Sequence, residues 1–265
     1  MSVGRTNDRS GVASCGIAVM AKASLPGKTK TRLVPPLTFA EAAALNTAFL
    51  QDVAANIAAA GQAAPVACYM AYGPAGANAF FESILPPTVG LIEACHPGFG
   101  DCLFTAIDQV LARGHAGAVV LNSDSPTLPT ALLVETARLL ARPGDRAVLG
   151  PSSDGGYYLL GLKAPHRRLF EDVAWSTERV ARQTRERAAE IGLELHVLPE
   201  WYDVDDAASL RMLRGELIEG RSFVSDLPPS PAPYTAALLG ALLERTDLAA
   251  RLDGGAAPVA MRAAE

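Results

Sequence analysis

Five segments hold residues whose types and spacing suit phosphate chemistry. The first, residues 21–33, reads AKASLPGKTKTRL and carries Lys22, Lys28, Lys30 and Arg32 around Gly27. Three of the chain's four lysines lie here, and no acidic residue occurs between Asp8 and Glu41. A cationic stretch without counter-charge, with small residues that admit a close approach to the backbone, is a candidate polyphosphate site. It is not a P-loop, because no G-K-[ST] ends a G-x4 spacer directly before a helix. The plain alternative is a solvated basic loop.

The second segment, residues 122–129 (NSDSPTLP), follows an apolar run and offers Asp124 at its tip. Magnesium takes hard oxygen ligands and keeps several waters, so one or two carboxylates plus substrate phosphates suffice. Asp-Ser-Pro is equally a turn initiator. The third, residues 150–161 (GPSSDGGYYLLG), sets Asp154, Gly155 and Gly156 on hairpin-like turn spacing. The glycines also let a ligand come close, and of Tyr157 and Tyr158, on opposite strand faces, at most one faces a cleft. The fourth, residues 201–210 (WYDVDDAASL), puts Asp203 and Asp205 on one face of extended chain, with Asp206 placed to cap a helix. These are either a second metal carboxylate with its neighbour or a set of caps and turns. A fifth, Trp175-Ser176-Thr177, is either the N-cap of the next helix or a substrate contact.

Other chemistries find little support. His96, His115, His166 and His196 sit in unrelated segments, and no G-x-S-x-G elbow supports a serine hydrolase. Cys15, Cys68, Cys95 and Cys102 form no C-x-x-C pair and read as free thiols. A net charge of −5 argues against a nucleic-acid partner. No apolar run approaches the roughly 18 residues of a membrane span. Residues 1–13 are polar and read as a disordered tail rather than a signal peptide, so a cytoplasmic protein is expected.

The elements that must position these segments alternate between short apolar runs and longer helical patterns. Strands are expected at 14–20, 65–70, 90–93, 118–122, 147–150, 157–162 and 194–198. Helices are expected at 38–60, 78–84, 102–113, 130–141, 177–191 and 207–219, the first opened by a capping box of Thr38 and Glu41. Such alternation implies an α/β fold with a doubly wound, mainly parallel sheet, here one domain over 14–221. A Pro-rich linker at 222–234 follows, then one amphipathic helix at 235–252 and a tail at 253–265. The leucine stripe of that helix either docks on the domain or makes a homodimer contact.

Taken in order, the five motifs resemble those of the bacterial GT-A-like transferases of largely unassigned activity, often labelled glycosyltransferases of arsenosugar biosynthesis. More distantly they are similar to 2-phospho-L-lactate guanylyltransferase and the molybdenum-cofactor nucleotidyltransferases. The resemblance spans residues 18–215. It implies a GT-A (nucleotide-diphospho-sugar transferase) fold, a nucleotide or nucleotide-sugar donor, a small-molecule acceptor and Mg2+ or Mn2+. By position, Lys22, Gly27, Lys28, Lys30, Arg32 and Ser123 would bind the phosphates. Asp124 would be the first metal ligand and Asp205 the second, with Asp203 in reserve. Asp154, Gly155, Gly156 and Tyr157 would border the acceptor, and Lys30, Arg32 and Asp124 would be catalytic. Where the pattern has G-D-L-G-x-R, this chain reads Gly100-Asp101-Cys102-Leu103-Phe104-Thr105, which leaves the base- or sugar-selecting loop unassigned.

Two reactions fit: nucleotidyl transfer from an NTP to a phosphate or carboxylate, slightly favoured by the dense cation loop, and glycosyl transfer from an NDP-sugar. A non-catalytic nucleotide-binding protein is the third reading. In either reaction Asp124 and Asp205 are expected to meet at the sheet's C-terminal edge; oxygens more than about 10 Å apart would rule out a shared ion.

Overall fold

Seven strands form one sheet in the order β3-β2-β1-β4-β6-β5-β7. They are β1 (Cys15–Lys22), β2 (Val66–Gly73), β3 (Gly90–Glu93), β4 (Gly117–Leu121), β5 (Ala147–Pro151), β6 (Tyr157–Leu162) and β7 (Leu195–Val197). Strand β6 runs antiparallel to both its neighbours, and every other pairing is parallel. The computed structural model describes residues 14–224 and 226–254. The expected tail at 1–13, and all but the first two residues of the one at 253–265, lie outside the described residues.

Side chains alternate between the two faces of the sheet. From β1, Ile17, Val19 and Ala21 join one core and Ala18 the other; from β4, Val119 and Leu121 join the first and Ala118 and Val120 the second. The first core is covered by α1 (Phe39–Ala60), α4 (Thr130–Ala141) and α6 (Ala207–Glu219). The second is covered by α3 (Phe99–Ala112) and α5 (Val180–Glu190). A short α2 (Asn78–Ile84) links β2 to β3. With both faces covered, β1 and β4 can be apolar nearly throughout. This is the doubly wound, mainly parallel sheet expected from the alternation.

Local signals hold at several helix starts. Thr38 and Glu41 form the capping box of α1, and Asp206 with Ser209 forms that of α6. Two starts differ from expectation. Helix α3 begins at Phe99, three residues before the expected 102, from an extended Gly98. Helix α5 begins at Val180 rather than 177, because the Thr177 hydroxyl closes a local turn, donating to Ala174 O and accepting from Arg179 N–H.

The expected single helix at 235–252 is two, α7 (Pro233–Arg245) and α8 (Leu248–Leu252). The break is at Thr246, whose backbone is extended and whose hydroxyl donates to Leu242 O and accepts from Leu248 N–H. The leucine stripe is spent on the chain's own core: Leu239, Leu248 and Leu252 are buried, and Leu238, Leu242 and Leu243 pack against them. Buried Asp52 of α1 accepts the N–H groups of Tyr234 and Thr235 and so caps α7 from outside. Arg251 of α8 grips Glu41 at the other end of α1. Docking within the chain therefore accounts for the stripe that had also suggested a dimer contact. No helix among the described residues is long and apolar enough to cross a membrane.

Candidate functional site

The C-terminal ends of β1, β4 and β5 and the start of β6 share one edge of the sheet, where open α/β sheets gather ligands. Two backbone links assemble the loops there. Val204 N–H donates to Asp124 O, which lays the segment after β7 against the loop after β4. Ser153 N–H donates to Trp201 O, which ties the same segment to the β5–β6 turn. Asp124, Asp154, Asp203 and Asp205, far apart in sequence, thus come to one cleft.

The basic loop folds as a compact turn. The Thr29 hydroxyl bonds both the N–H and the carbonyl of Leu25, and Asn46, buried on α1, donates to Lys22 O and Ser24 Oγ. Gly27, at φ 73°, supplies the left-handed turn residue and is not on the cleft wall. Lys30 also has a left-handed backbone (φ 52°), which is unfavourable for a residue with a side chain. Its ammonium turns inward: Nζ lies 2.9 Å from Asp124 Oδ1, 3.2 Å from Asp205 Oδ1 and 2.7 Å from Val204 O. The ammonium thus donates to Val204 O and Asp205 Oδ1 and pairs with Asp124 Oδ1, and the side chain is 6% exposed. Lys30 is therefore a clamp between the carboxylates, whereas Lys22, Lys28 and Arg32 remain exposed. Arg32 donates to Asp205 Oδ2, and Ser123 donates to Asp124 Oδ1.

Both carboxylates touch one nitrogen, so their nearest oxygens are at most about 6 Å apart, the two contacts laid end to end. No group of three or more His, Cys, Asp or Glu side chains that could hold a metal gathers among the described residues.

The cleft has two lobes that meet at Asp124, Asp205 and Arg32. One, about 570 Å3, is walled by Lys22, Lys28, Lys30, Asn46 and Ser123. The other, about 420 Å3, is walled by Tyr157, Trp175, Asp154, Asp203 and Gly156. Tyr157 faces this lobe, packed edge-on to Trp175 with ring centres 6.5 Å apart; burial pushes its hydroxyl pKa up, so the group stays a donor. Tyr158, on the same wall, sends its hydroxyl to Pro199 O. Burial, then the nearby charges of Asp154, Asp205 and Asp124, push the Asp203 carboxyl up to about 7. Gly155 stands off the wall: its φ is 88°, and a Cβ there would lie 2.3 Å from the carbonyl oxygen of Glu178. Its glycine serves the packing of the turn against the start of α5.

Trp175 carries more of the site than its local sequence signals. A Cβ on Gly100 would lie 2.8 Å from Trp175 Nε1, so the departing stretch 100–105 lies in the first two turns of α3, with Gly100 close against that ring. Phe99, half exposed and edge-on to Trp175 at 5.5 Å, lines both lobes. Sequence reasoning missed Phe99 and Asn46; an aromatic set between Gly98 and Gly100 was the one available sign of the first.

Residues 56–177 match the family described as an uncharacterised protein conserved in bacteria (DUF2064). That span holds Asp124 and the Asp154 turn; the basic loop and Asp205 lie outside it. In structure the chain is similar to a protein of Desulfovibrio desulfuricans G20 described as a candidate nucleotide-diphospho-sugar transferase. The two are 26% identical with a TM-score of 0.72, over 87% of this chain and 95% of that one. It shares its fold with CMP:2-keto-3-deoxy-manno-octonic acid synthetase in complex with CTP, at 14% identity and a TM-score of 0.50, over 79% of this chain and 100% of that one. No curated protein matches the chain. The family match and the first structural likeness bear out the resemblance to the bacterial GT-A-like proteins of unassigned activity.

Proposed function

We propose that this chain is a transferase that holds a nucleotide by its phosphates in the basic lobe and moves a group from it to a small acceptor in the aromatic lobe. One observation carries this reading. The paired carboxylates of Asp124 and Asp205 stand at the junction of an exposed cationic lobe and an aromatic one. The name and fold of the two structural relatives support it.

The donor set fits a magnesium-like ion. Two carboxylates held within reach of one cation are too few for an all-protein cage, but suit an ion that keeps waters and takes its other ligands from phosphates. Asp124 and Asp205 would hold Mg2+ or Mn2+, with Asp203 beside them. Once bound, such an ion would offset charge developing on the departing phosphates. The chain's own residues do the rest. Lys22, Lys28 and Arg32 balance the polyphosphate, Ser123 orients Asp124, and Lys30 fixes the spacing of the two carboxylates.

Three exposed cations beside the junction suit a triphosphate, which favours nucleotidyl transfer. There an acceptor oxygen bonds to the α-phosphorus, the bond to the β-phosphate bridge breaks, and pyrophosphate leaves with its electron pair. The hydrogen-bonding aromatic lobe favours a second reading, glycosyl transfer. In that reaction the acceptor bonds to the anomeric carbon and an NDP leaves.

A product assay separates them. Incubation with Mg2+, a panel of small acceptors and either NTPs or NDP-sugars should release pyrophosphate in the first case and NDP in the second. Neither product from any donor, with no donor raising the melting temperature, would defeat the transferase reading.

A further inference from the structure

The transferase reading assigns the aromatic lobe to the acceptor, and the walls of that lobe describe what it binds. We propose that the acceptor is an amine-bearing compound that enters as its ammonium ion, rather than a phosphate or a carboxylate.

Charge is the first observation. Beyond the pair bridged by Lys30, the lobe presents Asp154, Asp203 and Glu178. Glu178 is answered by Arg179 at 3.5 Å, and Arg32, the one cation on this wall, pairs with Asp205 and on the transferase reading serves the donor phosphates. Asp154 and Asp203 have no cationic partner among the described residues; Asp154 accepts only the N–H of Gly156. An anionic acceptor would meet the uncompensated Asp154, an Asp203 carboxyl already pushed up by burial and its acidic neighbours, and no free cation to hold it.

Hydrogen-bonding capacity is the second observation, independent of charge. Ser152 is 3% exposed and lines the lobe, yet its hydroxyl has no partner. The Tyr157 hydroxyl and Asn122 Oδ1, on the same wall, are likewise buried without partners. The amide oxygen and the Asp154 carboxylate only accept, the Asp203 carboxyl accepts once a cation beside it holds it ionised, and the two hydroxyls can turn to accept. Such a wall asks its ligand for donors. A phosphate dianion or a carboxylate supplies none, whereas an ammonium supplies three. A neutral polyol also donates, but leaves Asp154 and Asp203 unanswered. The rings of Phe99, Trp175 and Tyr157 add faces that favour a cation.

A set of probes tests this: glucosamine, glucose and gluconate, alike in size and different in charge. Each would be titrated calorimetrically into the full chain with Mg2+, with and without CTP or UDP-glucose, below the pKa of the amine. Glucosamine should bind about fivefold or more tighter than glucose, the worth of one new ion pair, and gluconate weakest. Asp154→Asn and Asp203→Asn, each checked by its melting curve, should each narrow that preference. Glucose or gluconate binding as tightly as glucosamine overturns the proposal, as does a preference untouched by both variants. Nucleotide binding without a charge preference refutes the amine and leaves the transferase reading standing. Failure of both nucleotides to bind refutes that reading, and the acceptor assignment with it.

Discussion

The ammonium of Lys30 lies 2.9 Å from Asp124 Oδ1 and donates to Asp205 Oδ1, so a side chain of the basic loop serves as the cation of the acidic pair. Lys30→Met leaves two half-buried carboxylates facing each other. The free protein should lose about 2 kcal/mol, less than a fully buried pair would cost because both aspartates keep some contact with water. Mg2+ should restore part of that loss and change the unsubstituted protein less. Urea melts with and without the ion measure both; a variant that is equally stable and indifferent to Mg2+ would contradict the arrangement.

Asp124→Asn keeps the shape of the side chain and removes its charge. Transferase turnover should fall about a hundredfold or more, the scale seen when one electrostatic element of an active site is lost. The melting temperature should stay within a few degrees, because the backbone bond from Val204 N–H to Asp124 O survives the change. Activity close to that of the unsubstituted chain would remove Asp124 from the site.

Lys28→Ala and Arg32→Ala remove exposed cations that do not belong to the core. Each should weaken nucleotide binding about fivefold, and more at low salt, with little effect on folding. Isothermal titration with CTP at two salt concentrations reads this directly. Affinities unchanged in both variants would place the phosphates elsewhere.

Much of this was legible in the chain, and the reason differs by level. Strands such as β4 and β6 and the caps at Thr38 and Asp206 are written in local pattern, so sheet class and element order follow from it. Asp124 could be named because it sits just past an apolar run, and Asp205 because it shares a face of extended chain with Asp203 in a motif of the resembling family. The inward turn of Lys30 could not be, since it depends on Val204 O and two aspartates distant in sequence. Gly155 was read as room for a ligand because nothing local reveals that Glu178 packs against it. The packing of Gly100 against Trp175, in the first turn of α3, is of the same kind.

Gly155→Ala tests that packing. The new Cβ would sit 2.3 Å from the Glu178 carbonyl oxygen, on a backbone with φ 88°. The left-handed backbone alone costs about 1–2 kcal/mol, and the clash is with main chain rather than a flexible side chain. A total loss of about 3 kcal/mol is expected by chemical denaturation. Gly27→Ala, where nothing lies within 4 Å, should cost only the backbone part. Equal losses at the two positions would show that the turn does not depend on this contact.

The last prediction concerns acid. Burial pulls the Glu41 carboxyl up, but the Arg251 guanidinium and the bonds to Thr38 outweigh it, and its pKa falls below the ordinary value. A depressed carboxylate stabilises the fold above its unfolded pKa, about 4.3, and the contribution disappears as pH falls through the folded value. Arg251→Met should therefore cost about 2 kcal/mol at pH 7, where the pair joins α8 to the start of α1. Below about pH 4 the cost should shrink, because acid removes the Glu41 charge from the unsubstituted protein as well. Thermal melts of both proteins from pH 3 to 8 should give curves that converge at the acid end. Curves that stay parallel would mean that Arg251 acts through its bond to Pro36 O rather than through Glu41.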